Sequence, residues 1–285
     1  MPAHATSPGT VLITGTSTGI GLAVAVGAAR AGWTVVATMR DLGKADALRE
    51  AAEKAGVAER VHLKRLDVTD PLLIAACVED VVVEFGRLDA VVNNAGAGHL
   101  NTIELGTVAD VRATMEVNFF GVVEVTKAAM PHLRESGGRL ITVTSVGGVV
   151  GQPFNEAYCA AKFAVEGFME ALAPVAAAVG VSVSVIEPGA VASEFVANVG
   201  IDIPAYVAAA GPYADAVTHY LDRTTQAFHA AQGVEDAAAP VVDTLGADNP
   251  PFRVQTSEAA RAFVGAKLAD LDGSAVQSLT RSWLS

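Results

Sequence analysis

Thr10-Val11-Leu12-Ile13-Thr14-Gly15-Thr16-Ser17-Thr18-Gly19-Ile20-Gly21 is a short apolar run that breaks into three glycines. Its first five residues are aliphatic or β-branched, which predicts a buried strand over 10–14. Leu22-Ala23-Val24-Ala25-Val26-Gly27-Ala28-Ala29 follows and predicts a helix over about 19–31. Strand, glycine turn and helix in this order form the context a dinucleotide site requires. Glycines let the backbone approach a pyrophosphate, and the helix N-terminus offers it free N–H groups. The spacing is G-x-x-x-G-x-G, not the commoner G-x-G-x-x-G. Gly15, Ser17, Thr18, Gly19, Ile20 and Gly21 are therefore candidate cofactor-binding residues.

Working outward, further apolar runs predict strands over 33–38, 61–66, 88–93, 138–145, 181–187 and 251–256. Helical patterns fill the gaps at about 43–55, 71–86, 107–134 and 156–179. Continuous apolar strands belong to parallel sheets covered on both faces. Right-handed crossovers then wind them into an α/β, Rossmann-type doubly wound sheet of seven mostly parallel strands. The alternation is nearly unbroken, so residues 10–285 read as a single domain behind a disordered tail, 1–9. The rhythm fails over 190–234, a stretch rich in Ala with Gly200, Pro204, Gly211 and Pro212. It follows a strand's carboxyl end, beside the ligand crevice, so 193–230 is expected to act as a substrate lid.

The chain is 51% hydrophobic and carries a net charge of −12. That acidity argues against nucleic acid as a partner and against docking on anionic membranes. No apolar stretch is long enough to span a bilayer. Cys77 and Cys159 fall inside predicted helices and read as free thiols in a reducing cytosol, so the expected location is cytoplasmic. Nothing in their spacing points to a metal.

Tyr158 and Lys162 stand four residues apart, on one face of a predicted helix. A tyrosine hydroxyl has an ordinary pKa of about 10, and bringing it to about 7 requires about 4 kcal/mol of differential stabilisation. A neighbouring ammonium and a cationic ring could supply it. Tyr158 would then give a proton to a carbonyl oxygen or take one from an alcohol. Ser145 ends an apolar strand, where its hydroxyl would face the crevice and bond a substrate oxygen. No G-x-S-x-G elbow surrounds it, which argues against a hydrolase nucleophile. Asn118 sits inside a long predicted helix, where Asn is a poor choice. Asn94-Ala95-Gly96, at the end of the fourth strand, would let backbone approach the adenosine ribose. Val146, Phe154, Asn155 and Phe195 are candidate substrate-lining residues. His99, His132 and His219 read mostly as surface groups.

Thr14-Gly15-x-x-x-Gly19-Ile20-Gly21, Asn93-Asn94-Ala95-Gly96, Asn118, Ser145 and Tyr158-x-x-x-Lys162 together resemble the motif series of the short-chain dehydrogenase/reductase family. The likeness covers about residues 10–195. The stretches 143–148 and 153–164 are most similar to the branch of the 17β-hydroxysteroid dehydrogenase type 1 and retinol dehydrogenases. The resemblance implies strand order 3-2-1-4-5-6-7. It implies that Asn118 holds a water in a proton relay and that Lys162 also bonds the nicotinamide ribose. Asp67 and Val68 resemble the family's adenine contact; Pro188, Gly189, Val191 and Ser193 resemble the segment that holds the carboxamide.

Met39 stands where NAD-using members carry Asp, and Arg40 follows it, which favours NADP(H) and leaves NAD(H) possible. The implied activity is alcohol/ketone oxidoreduction on a lipophilic, steroid- or retinoid-like substrate. The alternatives are a 3-ketoacyl or xenobiotic carbonyl reductase, and a non-catalytic NADP-binding regulator. Family members pair the helices at 107–134 and 156–179, so a homodimer or tetramer is expected.

Overall fold

The computed structural model describes residues 9–194, 200 and 202–284. The expectations for tail residues 1–8 and for Phe195 lie outside the described residues. Seven strands, β1 (Thr10–Thr14), β2 (Thr34–Met39), β3 (Val61–Arg65), β4 (Ala90–Asn93), β5 (Arg139–Val143), β6 (Ser182–Glu187) and β7 (Arg253–Gln255), form one sheet. Its order is β3-β2-β1-β4-β5-β6-β7, and every neighbouring pair is parallel. The order reverses beside β1, between β1 and β4, which is where ligands bind in such sheets.

Both faces are covered. Val11, Ile13, Val35 and Ala37 point to a layer made by α1 (Gly19–Arg30), α2 (Asp46–Lys54) and α9 (Val234–Gly246). Leu12, Val36, Val91 and Leu140 point the other way, onto α3 (Pro71–Phe85), α5 (Gly121–Ser136) and α6 (Glu156–Ala177). The alternation of neighbours between two buried layers explains why the strands read as unbroken apolar runs. Helix boundaries have local causes. Asp70 caps α3 by accepting from Leu72 N and Leu73 N, Pro71 occupies the first turn, and Gly86 ends the helix at φ 75.

Two features depart from the sequence reading. The helix expected over 107–134 is three pieces: α4 (Val108–Met115), a π turn (Glu116–Phe120) and α5. The stretch 190–234, expected as irregular, is largely helical, with α7 (Ile203–Ala209) and α8 (Ala214–His229). Val217 and Tyr220 of α8 are buried against Phe154 and Trp283. The segment thus already owns a small core of its own, which Ala-rich composition did not suggest. The remaining helices, α10 (Glu258–Leu268) and α11 (Ser274–Arg281), follow β7. No helix among the described residues is long and apolar enough to cross a membrane. Cys77 and Cys159 are buried and free.

Candidate active site

The β1–α1 turn is built for close approach. Gly15 has φ 72, and a Cβ there would stand 2.8 Å from Ala95 Cα. A Cβ on Gly21 would meet Gly15 O at 2.2 Å and Asn94 Nδ2 at 2.3 Å. Thr18 precedes α1 in an extended conformation with no side-chain cap, and the first turn holds no acidic residue. The first N–H groups of α1 therefore keep their donor capacity and positive potential, which suits a pyrophosphate.

Asn94 is a strut. Its Nδ2 donates to Thr14 O and Gly15 O, both at 2.9 Å, and Thr14 Oγ1 accepts from Asn94 N and Ala95 N at 3.0 Å. These bonds hold the loops after β1 and β4 together. Asn118 holds the β4 loop from the other side. It is fully buried inside the π turn, donates from Nδ2 to Ala97 O (2.9 Å) and Thr114 O (3.0 Å), and accepts from Ala97 N (3.2 Å). A π turn inserts one residue into a helix and redirects its side chains, commonly at functional sites. Both amide hydrogens of Asn118 are committed to protein. A water-holding role would fall to the second lone pair of its Oδ1 or to its main-chain carbonyl.

Ser145 follows β5, and its Oγ accepts from Gly147 N at 3.0 Å. It also hydrogen-bonds the Tyr158 hydroxyl. Lys162 is buried; its Nζ donates to Val143 O at 3.1 Å and lies 5.8 Å from the centre of the Tyr158 ring. Burial pushes Tyr158 up to about 12, and the Ser145 bond opposes that rise. The protein alone therefore holds Tyr158 as a neutral proton donor, and phenolate chemistry must draw on further positive charge. Burial pulls Lys162 down to about 8, opposed by the Glu166 carboxylate one turn away. Glu166 is itself raised to about 7 by burial, while Thr144 and Arg253 bond its oxygens.

At the far end of the turn, Met39 is buried and Arg40 exposed, and both line the cleft. Asp41 accepts from Gly43 N at 2.9 Å, so its carboxylate is engaged in its own turn. Asp67 also lines the cleft. Burial disfavours its charge, yet bonds from Thr69 and the nearby Arg40 and Arg65 hold its carboxyl below the usual range.

One cleft of about 1090 Å³ runs along the carboxyl ends of the strands. It brings together the glycine turn, Arg40, Asp67, Val68, Asn94, Ala95, Gly96, Ser145, Val146, Asn155, Tyr158, Lys162, Pro188, Gly189, Val191 and Ser193. Asn118 lies behind it. Phe154, expected in the lining, is instead packed in the small core, its ring edge-on to Tyr220 at 5.4 Å. Its backbone sits in the left-handed region, φ 60, a conformation that costs a non-glycine residue about 1–3 kcal/mol. Asn101 N donates to Phe154 O at 2.9 Å, helping to offset that cost.

Of the three histidines singled out, His99 lines the cleft, while His219 is exposed, with Nδ1 3.3 Å from Leu284 O. The distal lining holds groups that sequence reasoning missed: Leu100, Tyr220, Leu221, Arg223, Phe263 and Trp283. The signal available for α8 was its i, i+3/i+4 spacing. Trp283 lies in a segment that no motif covers.

A buried tyrosine bonded to a serine and followed one turn later by a buried lysine, in one cleft with a glycine turn at the switch point of a doubly wound sheet, is an arrangement suited to an α/β oxidoreductase. The chain belongs to the short chain dehydrogenase family, which matches residues 9–203. Retinol dehydrogenase 8 of Bos taurus is 36% identical over 279 residues, covering 95% of this chain and 88% of that protein. The 17-beta-hydroxysteroid dehydrogenase type 1 of Homo sapiens is 37% identical over 275 residues, covering 93% and 82%. A short-chain dehydrogenase from Streptomyces avermitilis has a similar crystal structure, with TM-score 0.77, 30% identity, and coverage of 98% of this chain and 99% of that one.

Proposed function

We propose that the protein is an NADP(H)-dependent oxidoreductase that interconverts a secondary alcohol and a ketone, or a primary alcohol and an aldehyde. The observation that carries this reading is the Ser145–Tyr158 hydrogen bond beside buried Lys162, in the same cleft as the glycine turn. A bound nicotinamide cofactor would supply or accept the hydride. Tyr158 would give its proton to the carbonyl oxygen during reduction and recover it during oxidation. Ser145 would orient that oxygen, and Lys162 would favour the phenolate left behind. The similarity to retinol and steroid dehydrogenases, with Leu100, Leu221 and Phe263 in the lining, supports a lipophilic substrate. The unpaired cysteines favour action in the cytoplasm.

NADP(H) is favoured because Met39 cannot bond a ribose diol, while Arg40 lines the cleft and can meet a 2′-phosphate. Mixed with a panel of apolar ketones, the protein is expected to consume NADPH faster than NADH, read at the nicotinamide absorbance band. Met39→Asp should shift the preference toward NADH. Equal use of both by the parent, or no shift in the variant, would count against the assignment.

The lid reading of 193–230 rests on Ile203, Tyr220 and Arg223 lining the cleft. Hydrogen exchange over this segment should slow when NADP and an apolar alcohol are added together. Unchanged protection would make α7 and α8 a fixed wall. A homodimer through α4, α5 and α6 is supported by the exposure of Val108, Val111, Phe120 and Phe163 on those helices and the turn between them. Sedimentation at micromolar concentration should show it, and a monomer alone would refute it.

A further inference from the structure

The whole chain is acidic, with 31 Asp and Glu against 19 Lys and Arg. The described lining of the cleft reverses that balance. Its charged residues are Arg40, Lys162 and Arg223 against the single carboxylate of Asp67, with His99 besides. Arg40 and Asp67 stand at the ends of β2 and β3, on the nucleotide side, and Lys162 is taken up behind Tyr158. That leaves Arg223 as a cation in the distal half, and no carboxylate of the described lining faces it there.

Arg223 is held in place. Its guanidinium carbon lies 4.3 Å from the centre of the Trp283 ring, and Phe263 stacks with that ring at 5.7 Å and 27°. Such stacking orients a guanidinium while leaving its in-plane N–H donors unused. Among the described residues no carboxylate lies within ion-pair distance of it. Three residues earlier on α8, Tyr220 is fixed by its hydroxyl, 2.6 Å from Asn155 Nδ2 at the start of α6. The distal cation is thus tied, through one turn of α8, to the helix that carries Tyr158. Trp283 contributes a second observation. Its indole Nε1 is buried without a hydrogen-bond partner, although the residue lines the cleft. A buried donor left unmatched requires an explanation, and an acceptor in the cleft would provide one.

We infer that Arg223 and Trp283 form an oxyanion subsite, and that the substrate is a ketone or alcohol whose apolar body ends in a carboxylate. The inference rests on the oxidoreductase reading above for the reacting end and specifies the opposite end. Arg223 would bond the carboxylate with two N–H groups in a plane, and the indole N–H would add a third. Leu100, Leu221 and Phe263 would contact the apolar spacer.

The test pairs 6-oxo-6-phenylhexanoate with its methyl ester, using NADPH. The parent should prefer the acid by about tenfold to a hundredfold in kcat/KM, the range for a charge-assisted hydrogen bond. Arg223→Gln should lower the acid-to-ester ratio by about tenfold, chiefly through KM. Trp283→Phe keeps a ring on Phe263, removes the N–H, and should lower the ratio by a few-fold. A ratio unchanged in either variant, or a parent without preference for the acid, overturns the subsite. So does an equal fall for acid and ester, which would mark a structural role.

A second reading needs no turnover. Decanoate and decan-1-ol are titrated against tryptophan emission in the parent and in Arg223→Gln. The decanoate-to-decanol affinity ratio should fall in the same proportion as the kinetic one. An Arg223-dependent ratio without turnover of any ketone would sink the oxidoreductase reading and leave the oxyanion subsite standing. Turnover of the ester without Arg223-dependent preference would do the reverse.

Discussion

Tyr158→Phe is expected to retain cofactor binding and to lose turnover by at least about a hundredfold, the lower range for removal of a positioned acid/base. The substitution deletes one oxygen from a ring that otherwise stays in place. Its effect should therefore fall on kcat while the dissociation constant for NADPH moves little. The geometry sharpens this. Burial raises the Tyr158 hydroxyl to about 12 in the protein alone, so its neutral form is ready to donate in the reductive direction. Oxidation needs the phenolate and should show the steeper rise with pH. Near-normal turnover in the variant would remove Tyr158 from the chemistry.

Lys162→Met is expected to abolish useful turnover and weaken the cofactor, yet to melt higher than the parent. The lysine is 4% exposed, and burial drags its pKa from 10.5 to about 8. A cation whose folded pKa lies below its unfolded value is charged at a cost. The cost is fully present below pH 8 and is relieved as pH rises from about 8 to 10.5. At neutral pH it is on the order of 3 kcal/mol, against about 2 kcal/mol for the lost bond from the ammonium to Val143 O. Methionine fills the same volume without the charge. The variant should gain a few degrees in Tm at pH 7, and the gain should shrink above pH 9. A lower Tm at pH 7 would show that the ammonium stabilises the fold, and a functional account of its burial would fail.

The sheet was legible because each strand is buried on both faces and therefore stands out as an apolar run. The glycine turn was legible because strand, glycines and helix are contiguous. What escaped is discontinuous. Asn118 is an odd residue for a helix interior, but the π turn that aims it depends on i+5 bonding that no periodicity reveals. On sequence Asn94 belongs to a small-residue turn, whereas its side chain is a tie between two loops, visible only once β1 and β4 lie side by side. As an aromatic residue Phe154 suits a pocket lining and a core equally on sequence, and its left-handed backbone turns it into the small core. Arg223 and Trp283 are 60 residues apart in sequence and meet only through the docking of α8 against the end of the chain.

The tie between Asn94 and the β1 turn has a consequence for how the chain comes to be functional. Its bonds to Thr14 and Gly15 span 79–80 residues, and β4 pairs directly with β1 in the middle of the sheet. During synthesis the glycine turn emerges early, yet its closing partner is still to be made. Contacts of such sequence separation form late, after the entropy of the intervening loop has been spent. A fragment ending before residue 90 would carry the whole glycine motif and still lack the clamp that holds it open for a phosphate. A nucleotide held by this turn would therefore select only chains in which the fourth strand has already entered the sheet, and its binding would follow assembly and not seed it.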